Sequence, residues 1–522
     1  MAKANQNVMP FPINGYNSAA GYAGQLKGTT PLALNIWPRQ PGTERARGGT
    51  RAGLVDGRAG EPTLLMGGAL NSCIAEWSGG RGYAFTCKVG TFLTNDGIEF
   101  SRIITVRPDG PLASCVNYRD TIYQASSELS QVWYHTLGGT GFSVLTAPAN
   151  RGVVPTNCGL VNTHQNRLVL AGDKNFPHAL YMSAVDDATN WDYSAVHAGA
   201  AIANAGGGEG RVGEPITSLI SHNRACLLVG CTDSLYIVRG NPRVGGSLET
   251  LSHQIGPLSQ QAWCKTGSED TVFMTREGLF IIPPGCGAIP EQISDNHVPD
   301  ELRNLDITPG DYCSLAWDGR FGGVHITITE RPMLDRPNLT SSFTPVKTKW
   351  WFFVPPSRNP SMPPSFWEMD SSSVVPVMNV ALKSTASEER GGIVVHDIDG
   401  RAWHYSLEEP QSELITSTLA YGPIELSSAF DDGVLARVTA TLAANSSNVN
   451  WEVRTGDSEE EAINSTAAFT GADWDRQGFN YWQHPRTRGR VAYIVISGTG
   501  LGRISVEEIL AESYPKSRRR IM

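Results

Sequence analysis

Apolar residues along this chain come in short runs with polar punctuation between them. Residues 166–171, 225–230, 234–239, 271–275 and 278–282 are five or six positions long, rich in Leu, Val, Ile and Phe, and lie close to Gly, Pro, Asp or Asn. Runs of that length suit strands and are too short for buried helices. Helical patterning is confined to residues 300–305, which follow Pro299, and to the alanine-rich patch at 199–205. Asp-Gly pairs stand at Asp56, Asp96, Asp109, Asp318, Asp399 and Asp432, each followed by glycine. That dipeptide supplies the positive φ angles of tight hairpin turns, so several antiparallel hairpins are expected.

The strands recur as a loose repeat of apolar strand, short turn and aromatic-bearing strand. Repeat units begin near Thr63, Ser114, Asn157, Thr217, Trp263, Asp311 and Pro376, roughly 40 to 65 residues apart. A four-stranded propeller blade with its connection needs about 40 to 50 residues, so the pattern predicts an all-β chain built on a β-propeller of six or seven blades. The two longest intervals hold loop-like insertions at 206–213 and 355–364. After residue 411 the texture shifts to longer, partly alternating runs at 434–442, 450–454 and 490–496, which read as a separate C-terminal β-sheet or sandwich. The expected division is a basic N-terminal extension with the first strands (1–60), the propeller (61–410), the C-terminal β domain (411–515) and a basic tail (516–522).

Composition supports a turn-rich globular chain. Of 522 residues, 55 are Gly and 32 Pro, while 40% are apolar, enough for a packed core. Forty-two Lys and Arg against 51 Asp and Glu give a net charge of −9, which excludes a chain that wraps nucleic acid over its whole surface. Both ends are nonetheless cationic. Arg39, Arg45, Arg47, Arg51 and Arg58 stand in the first sixty residues and Arg518, Arg519 and Arg520 close the chain. Arginine outnumbers lysine more than threefold, and its forked guanidinium is the cation that subunit interfaces select. These eight arginines are the candidate subunit-interface residues. The nine cysteines include no CxxC pair and read as free buried thiols in a reducing cytoplasm. The N-terminus lacks an apolar signal core and no run reaches 18 apolar residues, so no membrane anchor is expected.

Motifs with catalytic or metal-binding form lack their context. Gly208, Gly210 and Gly213 match GxGxxG, but Ala- and Gly-rich sequence precedes them and Pro215 and a strand follow, so a loop is expected in place of a dinucleotide site. The eleven histidines share no metal-ligand spacing, and no metal or cofactor is expected. His396 to Gly400 resembles a calcium loop in part but reads more simply as a hairpin turn. Ser183, Asp186 and Trp191 approximate the Asp-box that pins a blade hairpin in sialidases, without its glycine and with the spacing off by one.

Three stretches resemble the tail tubular, or nozzle, proteins of short-tailed bacteriophages. The first is the Arg-, Pro- and Gly-rich segment 37–51. The second joins 166–172, 177–183 and the Asn190-Trp191 pair. The third comprises 233–238, 254–256 and 271–280. The likeness covers roughly residues 37–282 and, weakly, the C-terminal sheet. It implies a non-enzymatic virion protein that forms a ring, a hexamer, around the channel through which the genome leaves. Implied partners are other copies of the chain, adaptor or portal-side tail proteins, tail fibres or spikes, and double-stranded DNA in transit. The implied place is the virion tail, after assembly in the host bacterial cytoplasm. No segment can be singled out as a gate or a fibre-docking arm. An acidic or neutral lumen fits this role, because each neutralised phosphate adds affinity that would stall passage. DNA is expected on the axis of the ring, since a propeller's own channel is narrow. A second reading is a carbohydrate-active propeller, sialidase-like or lyase-like, in which Arg, Tyr and Glu converge on the propeller axis.

Overall fold

The computed structural model describes residues 5–21, 24–39, 48–56, 69–77, 80–87, 90–94, 101–102, 114–126, 130–136, 142–203, 212–303, 312–329, 348–356, 364–370, 377–383, 392–397, 402–405, 414–427, 432–444, 446, 448–500 and 503–515. Seven four-stranded antiparallel units form a β-propeller. Their innermost strands are Ala69–Trp77, Ser114–Asn117, Cys158–His164, Ile216–Ser221, Trp263–Lys265, Tyr312–Asp318 and Val377–Lys383, numbered here as blades 1 to 7. Six of these begin within one residue of the repeat starts read from the sequence. Inner strands lie side by side from blade 1 to blade 4 and from blade 5 to blade 7, Gln260 ties blade 5 to Leu219 of blade 4, and blade 7 lies against blade 1, so the ring closes.

Closure uses the beginning of the chain. The fourth, outer strand of blade 7 is Leu54–Asp56, paired antiparallel to Ala402–Tyr405 with Leu54 opposite Tyr405. A blade stitched from both sides of the propeller sequence fixes the ring against opening, because blade 7 has its full sheet only when the two segments meet.

Continuous apolar runs, and not alternating ones, mark the middle strands because both faces of a blade are covered. In blade 4 every residue of Cys226–Cys231 is buried. Its alternate side chains serve two cores. Leu227 and Val229 pack with Val169 and Met182 of blade 3, while Leu228 packs with Phe273 and Phe280 of blade 5. The outer strand Ser247–Ser252, with solvent on one side, is polar and part-exposed.

Blade 6 does not stop at four strands. Its outer strand Ser365–Met369 pairs in parallel with Ala33–Leu34, which bridges to Ile415–Glu425, Val491–Gly500, Asn450–Gly456 and Phe469–Thr470. A second sheet orders Asn5–Pro10, Val506–Pro515, Gly433–Leu442 and Gly478–Phe479, with Thr487–Gly489 also on Gly433–Leu442. Trp451, Ile494 and Leu419 from the first sheet share a core with Val438, Ala440 and Ile509 from the second, making a sandwich. Phe352 of blade 6 and Val395 of blade 7 belong to the same core. The N-terminal segment is therefore woven into the rest of the chain: Asn5–Pro10 and Ala33–Leu34 lie in the two sheets of the sandwich and Leu54–Asp56 in blade 7, while Ile36–Trp37 pairs with Gly49–Thr50.

Two local expectations change. Of the alanine-rich patch at 199–205, the described residues 199–203 are not helical, since Ile202–Ala203 is the outer strand of blade 3. A helix missed by the periodicity runs Glu459–Asn464, where Ser458 Oγ accepts from Glu461 N–H at 3.2 Å and Glu461 Oε2 accepts from Asp457 N–H at 2.9 Å. Ser-Glu-Glu-Glu is a capping-box signal, legible in retrospect. The short helix expected after Pro299 is present as Pro299–Leu302. Among the described residues no helix is long and apolar enough to cross a membrane.

Candidate functional site: the inner-strand ring and the arginine-rich face of blades 3 to 5

Inner strands are edge strands, and their outward N–H and C=O groups need partners. Small neutral side chains of neighbouring blades supply them. Ser114 Oγ lies 3.0 Å from both Val161 N and Val161 O, joining blade 2 to blade 3. Asn162 Nδ2 donates to Leu219 O at 2.6 Å, and Ser221 Oγ sits 2.9 Å from Asn162 Oδ1 and from Thr163 O, joining blades 3 and 4. Gln260 reads both groups of Leu219, accepting from its N–H at 2.7 Å and donating to its C=O at 2.9 Å. Ser259 Oγ donates to Cys313 O, and Leu315 N–H to Gln261 O, at the seam of blades 5 and 6. These seams are held by uncharged groups.

The cationic side chains gather elsewhere. Residues 183–201, between the third and fourth strands of blade 3, form a long excursion pinned by four arginines. Arg167 is buried and donates to Ser183 O, Ala198 O and Ala200 O at 2.8, 2.9 and 2.6 Å. Arg243 from blade 4 reaches Ala201 O and Tyr193 O at 2.8 and 2.9 Å. Arg119 pairs with Asp186, and Arg151 with Asp187. Arg119 and Asp120 carry positive φ, as do Gln165 and Asn166, so these hairpins use mirror-image turns without glycine. Desolvation, reinforced by the charge of Arg243, lowers the Arg167 pKa. The excursion also contains the Asp-box-like stretch. Its turn is built by Asp187, whose Oδ1 accepts from Thr189 N–H and Oγ–H at 2.9 and 2.7 Å, while Trp191 is buried and donates to Ala188 O. Asp186, the carboxylate singled out by sequence, serves Arg119 instead.

Of the eight arginines expected at subunit interfaces, Arg51 is corrected. It is wholly buried in its own chain, with Nε on Asn35 Oδ1 at 3.1 Å, Nη1 on Ala52 O and Nη2 on Asp370 O, both at 2.9 Å, and its guanidinium 5.4 Å from the Trp350 ring. A guanidinium satisfied by carbonyls on three segments is a core strut. Arg39 is half-buried near Gly322. Arg45, Arg47, Arg58, Arg518, Arg519 and Arg520 lie outside the described residues, as do Gly208 and Gly210.

The cysteine expectation is also corrected in part. Cys226 and Cys286 form a disulfide that ties blade 4 to the loop before the outer strand of blade 5. Cys158 and Cys231 are free and buried, and burial pushes each thiol up to about 12, which keeps them protonated and unreactive. Next to the link, His222 Nδ1 is 2.9 Å from Thr271 Oγ1. His325 is buried against Trp37, Trp350, Phe352 and Tyr405, accepts from Trp350 Nε1–H through Nδ1 at 3.2 Å, and is held neutral first by desolvation and then by Arg320 and Arg51. His396 lies in the hairpin Gly392–Asp397 with Ala402–Tyr405, opposite Ala402, as the turn reading expected. Among the described residues no three His, Cys, Asp or Glu side chains are grouped to hold a metal ion.

Neither a protein-family model nor a curated protein matches the chain. Solved structures with a similar course include a streptogramin B lyase (9% identity, TM-score 0.40, 68% of this chain and 97% of that one). Virginiamycin B lyase from Staphylococcus aureus aligns at 9% identity and TM-score 0.39, over 68% of this chain and 98% of that one. The β-propeller domain of Myceliophteria thermophila Cps50 (Swd1) aligns at 12% identity and TM-score 0.37, over 66% and 98%.

Proposed function

We propose that the chain is a structural subunit of a phage tail nozzle, assembling with copies of itself into a ring whose central opening passes the genome. One observation carries the reading most of the way. The stretches after residue 160 that resemble nozzle proteins fall on consecutive elements of one continuous wall, the blade 3 strands Arg167–Asp173 and Leu180–Met182 with the Trp191 turn, then Leu235–Arg239 of blade 4 and the hairpin Thr271–Thr275 with Gly278–Ile282 of blade 5. The net charge of −9 fits a surface past which DNA slides without adhering.

The test is particle composition. Mass spectrometry of purified virions, together with gold-labelled antibody to the chain, is expected to place it at the tail in a small fixed copy number. Its absence from particles overturns the proposal.

A further inference from the structure

The seam between blades 4 and 5 is crossed by the Cys226–Cys286 disulfide, whose two ends sit in unlike surroundings. Cys226 opens the second strand of blade 4, where Asn223 and Cys226 bond to each other, N–H to C=O in both directions, across a two-residue hairpin turn. Asn223 Oδ1 also accepts from the Cys226 N–H at 2.8 Å. This half is fixed. Cys226 is 1% exposed and belongs to the core that Ile220, Leu228 and Phe273 share.

Cys286 lies instead in the third-to-fourth connection of blade 5, residues 283–290, between Gly278–Ile282 and Glu291–Gln292. It is partly exposed and has glycine on either side. A turn closed by the Ala288 N–H on Gly285 O at 3.0 Å holds it at a corner. A β-carbon added at Gly285 or Gly287 would meet no atom within 4 Å, so the chain on both sides of the cysteine runs through open space. Noncovalent ties to blade 4 are weak by comparison. Asn223 Nδ2 donates to Pro284 O at 3.1 Å, His222 Nε2 lies 3.4 Å from Gly285 O, and Cys286 and Ala288 rest on the edge of the shared core. Two such hydrogen bonds, one of them exposed, do little against the conformational freedom of a glycine-bearing loop.

We infer that the Cys226–Cys286 bond is a reversible latch: thiol–disulfide exchange with a dithiol opens it from the Cys286 side and frees the connection 283–290, while the two blades stay packed. A thiolate of the dithiol attacks Cys286 Sγ, forms a mixed disulfide there and expels Cys226 as a thiolate. The dithiol's second thiolate then attacks its own sulfur in the mixed disulfide, expels the Cys286 thiolate and closes a cyclic disulfide. Cys226 and Cys286 take up the two protons that the dithiol loses; the protein gains two electrons and the dithiol is oxidised. Asn223 Nδ2, 3.3 Å from Cys286 Sγ, donates to that sulfur and favours its thiolate as it leaves. The blades remain joined because Leu228 packs with Phe273 and Phe280, and Gln260 holds both backbone groups of Leu219.

The experiment uses the full folded chain. Dithiothreitol is added without denaturant, and brief alkylation followed by peptide mapping reports which sulfur is released. Amide hydrogen exchange is then compared between the oxidised protein, the reduced protein, protein reoxidised with oxidised glutathione, and Cys286→Ser. Circular dichroism confirms folding. Reduction in the native state is expected, with Cys286 alkylated ahead of Cys226. Exchange in peptides covering 283–290 should rise about tenfold or more while Thr271–Thr275 stays protected over the same labelling time, and reoxidation should restore the slow rate. Cys286→Ser should show the fast rate with or without dithiothreitol; if that variant fails to fold, the wild-type comparison still decides. A bond that dithiothreitol cannot open until the protein unfolds overturns the latch. So does reduction that leaves 283–290 unchanged, loosens Thr271–Thr275 equally, or cannot be reversed.

Discussion

A buried arginine is the clearest case of one side chain holding several segments. Arg51 donates to Asn35 Oδ1, Ala52 O and Asp370 O, so removing it deletes three buried hydrogen bonds that tie the N-terminal segment to blade 6. Arg51→Met is expected to cost roughly 2 to 4 kcal/mol in urea unfolding, and Arg51→Lys to recover little, because an ammonium cannot span the fork. Buried histidines set a pH dependence. His164, His222, His297 and His325 are all lowered from the ordinary value of 6.5, each chiefly by desolvation. The unfolded chain therefore binds protons that the native chain refuses. Their contribution is present above about pH 6.5 and is lost as the pH falls below it. The melting temperature should drop between pH 7 and pH 5, and His325→Phe should flatten that slope. A slope unchanged by the substitution would remove His325 as a contributor.

Elements show where sequence reading succeeds and where it stops. Inner-strand starts such as Ser114 and Trp263 are legible because the middle strands that follow them, Thr121–Ala125 and Thr271–Thr275, are buried throughout and turn residues separate the two. The helix Glu459–Asn464 was missed because only Ala462 and Ile463 are buried, too few to mark a period. Threading of the N-terminus through blade 7 and the sandwich was illegible because Leu54–Asp56 and Ala33–Leu34 are two or three residues long and owe their structure to partners hundreds of positions away. The same distance hid the role of Arg51. Removal of residues 1–56 should leave blade 7 one strand short and expose the sandwich core, giving insoluble protein or a lowered melting transition, read by differential scanning calorimetry. The Cys226–Cys286 link closes a separation of 60 residues. Peptide mapping without reductant should recover the joined pair, and Cys286→Ser should cost about 2 to 4 kcal/mol. Alkylation of Cys226 and Cys286 themselves in the unreduced protein would contradict it.

At the scale of the molecule, a seven-bladed ring closed by its own N-terminus and continued through blade 6 into a sandwich is a stiff body. Its size and fold were foreshadowed by the repeat and by the shift of texture near residue 411. The proposed role in a tail rests on the resemblance and on charge. If DNA slides past the chain, duplex affinity at physiological salt should be weaker than about 10 µM, with a shallow salt dependence. Gel retardation at low micromolar protein contradicts that. The most direct test of the assembly is electron microscopy of the purified full-length chain at a concentration where copies meet. The expected image is a closed ring of identical subunits around an opening wide enough for a DNA duplex. A uniform field of single propellers, unchanged as concentration rises, would contradict it.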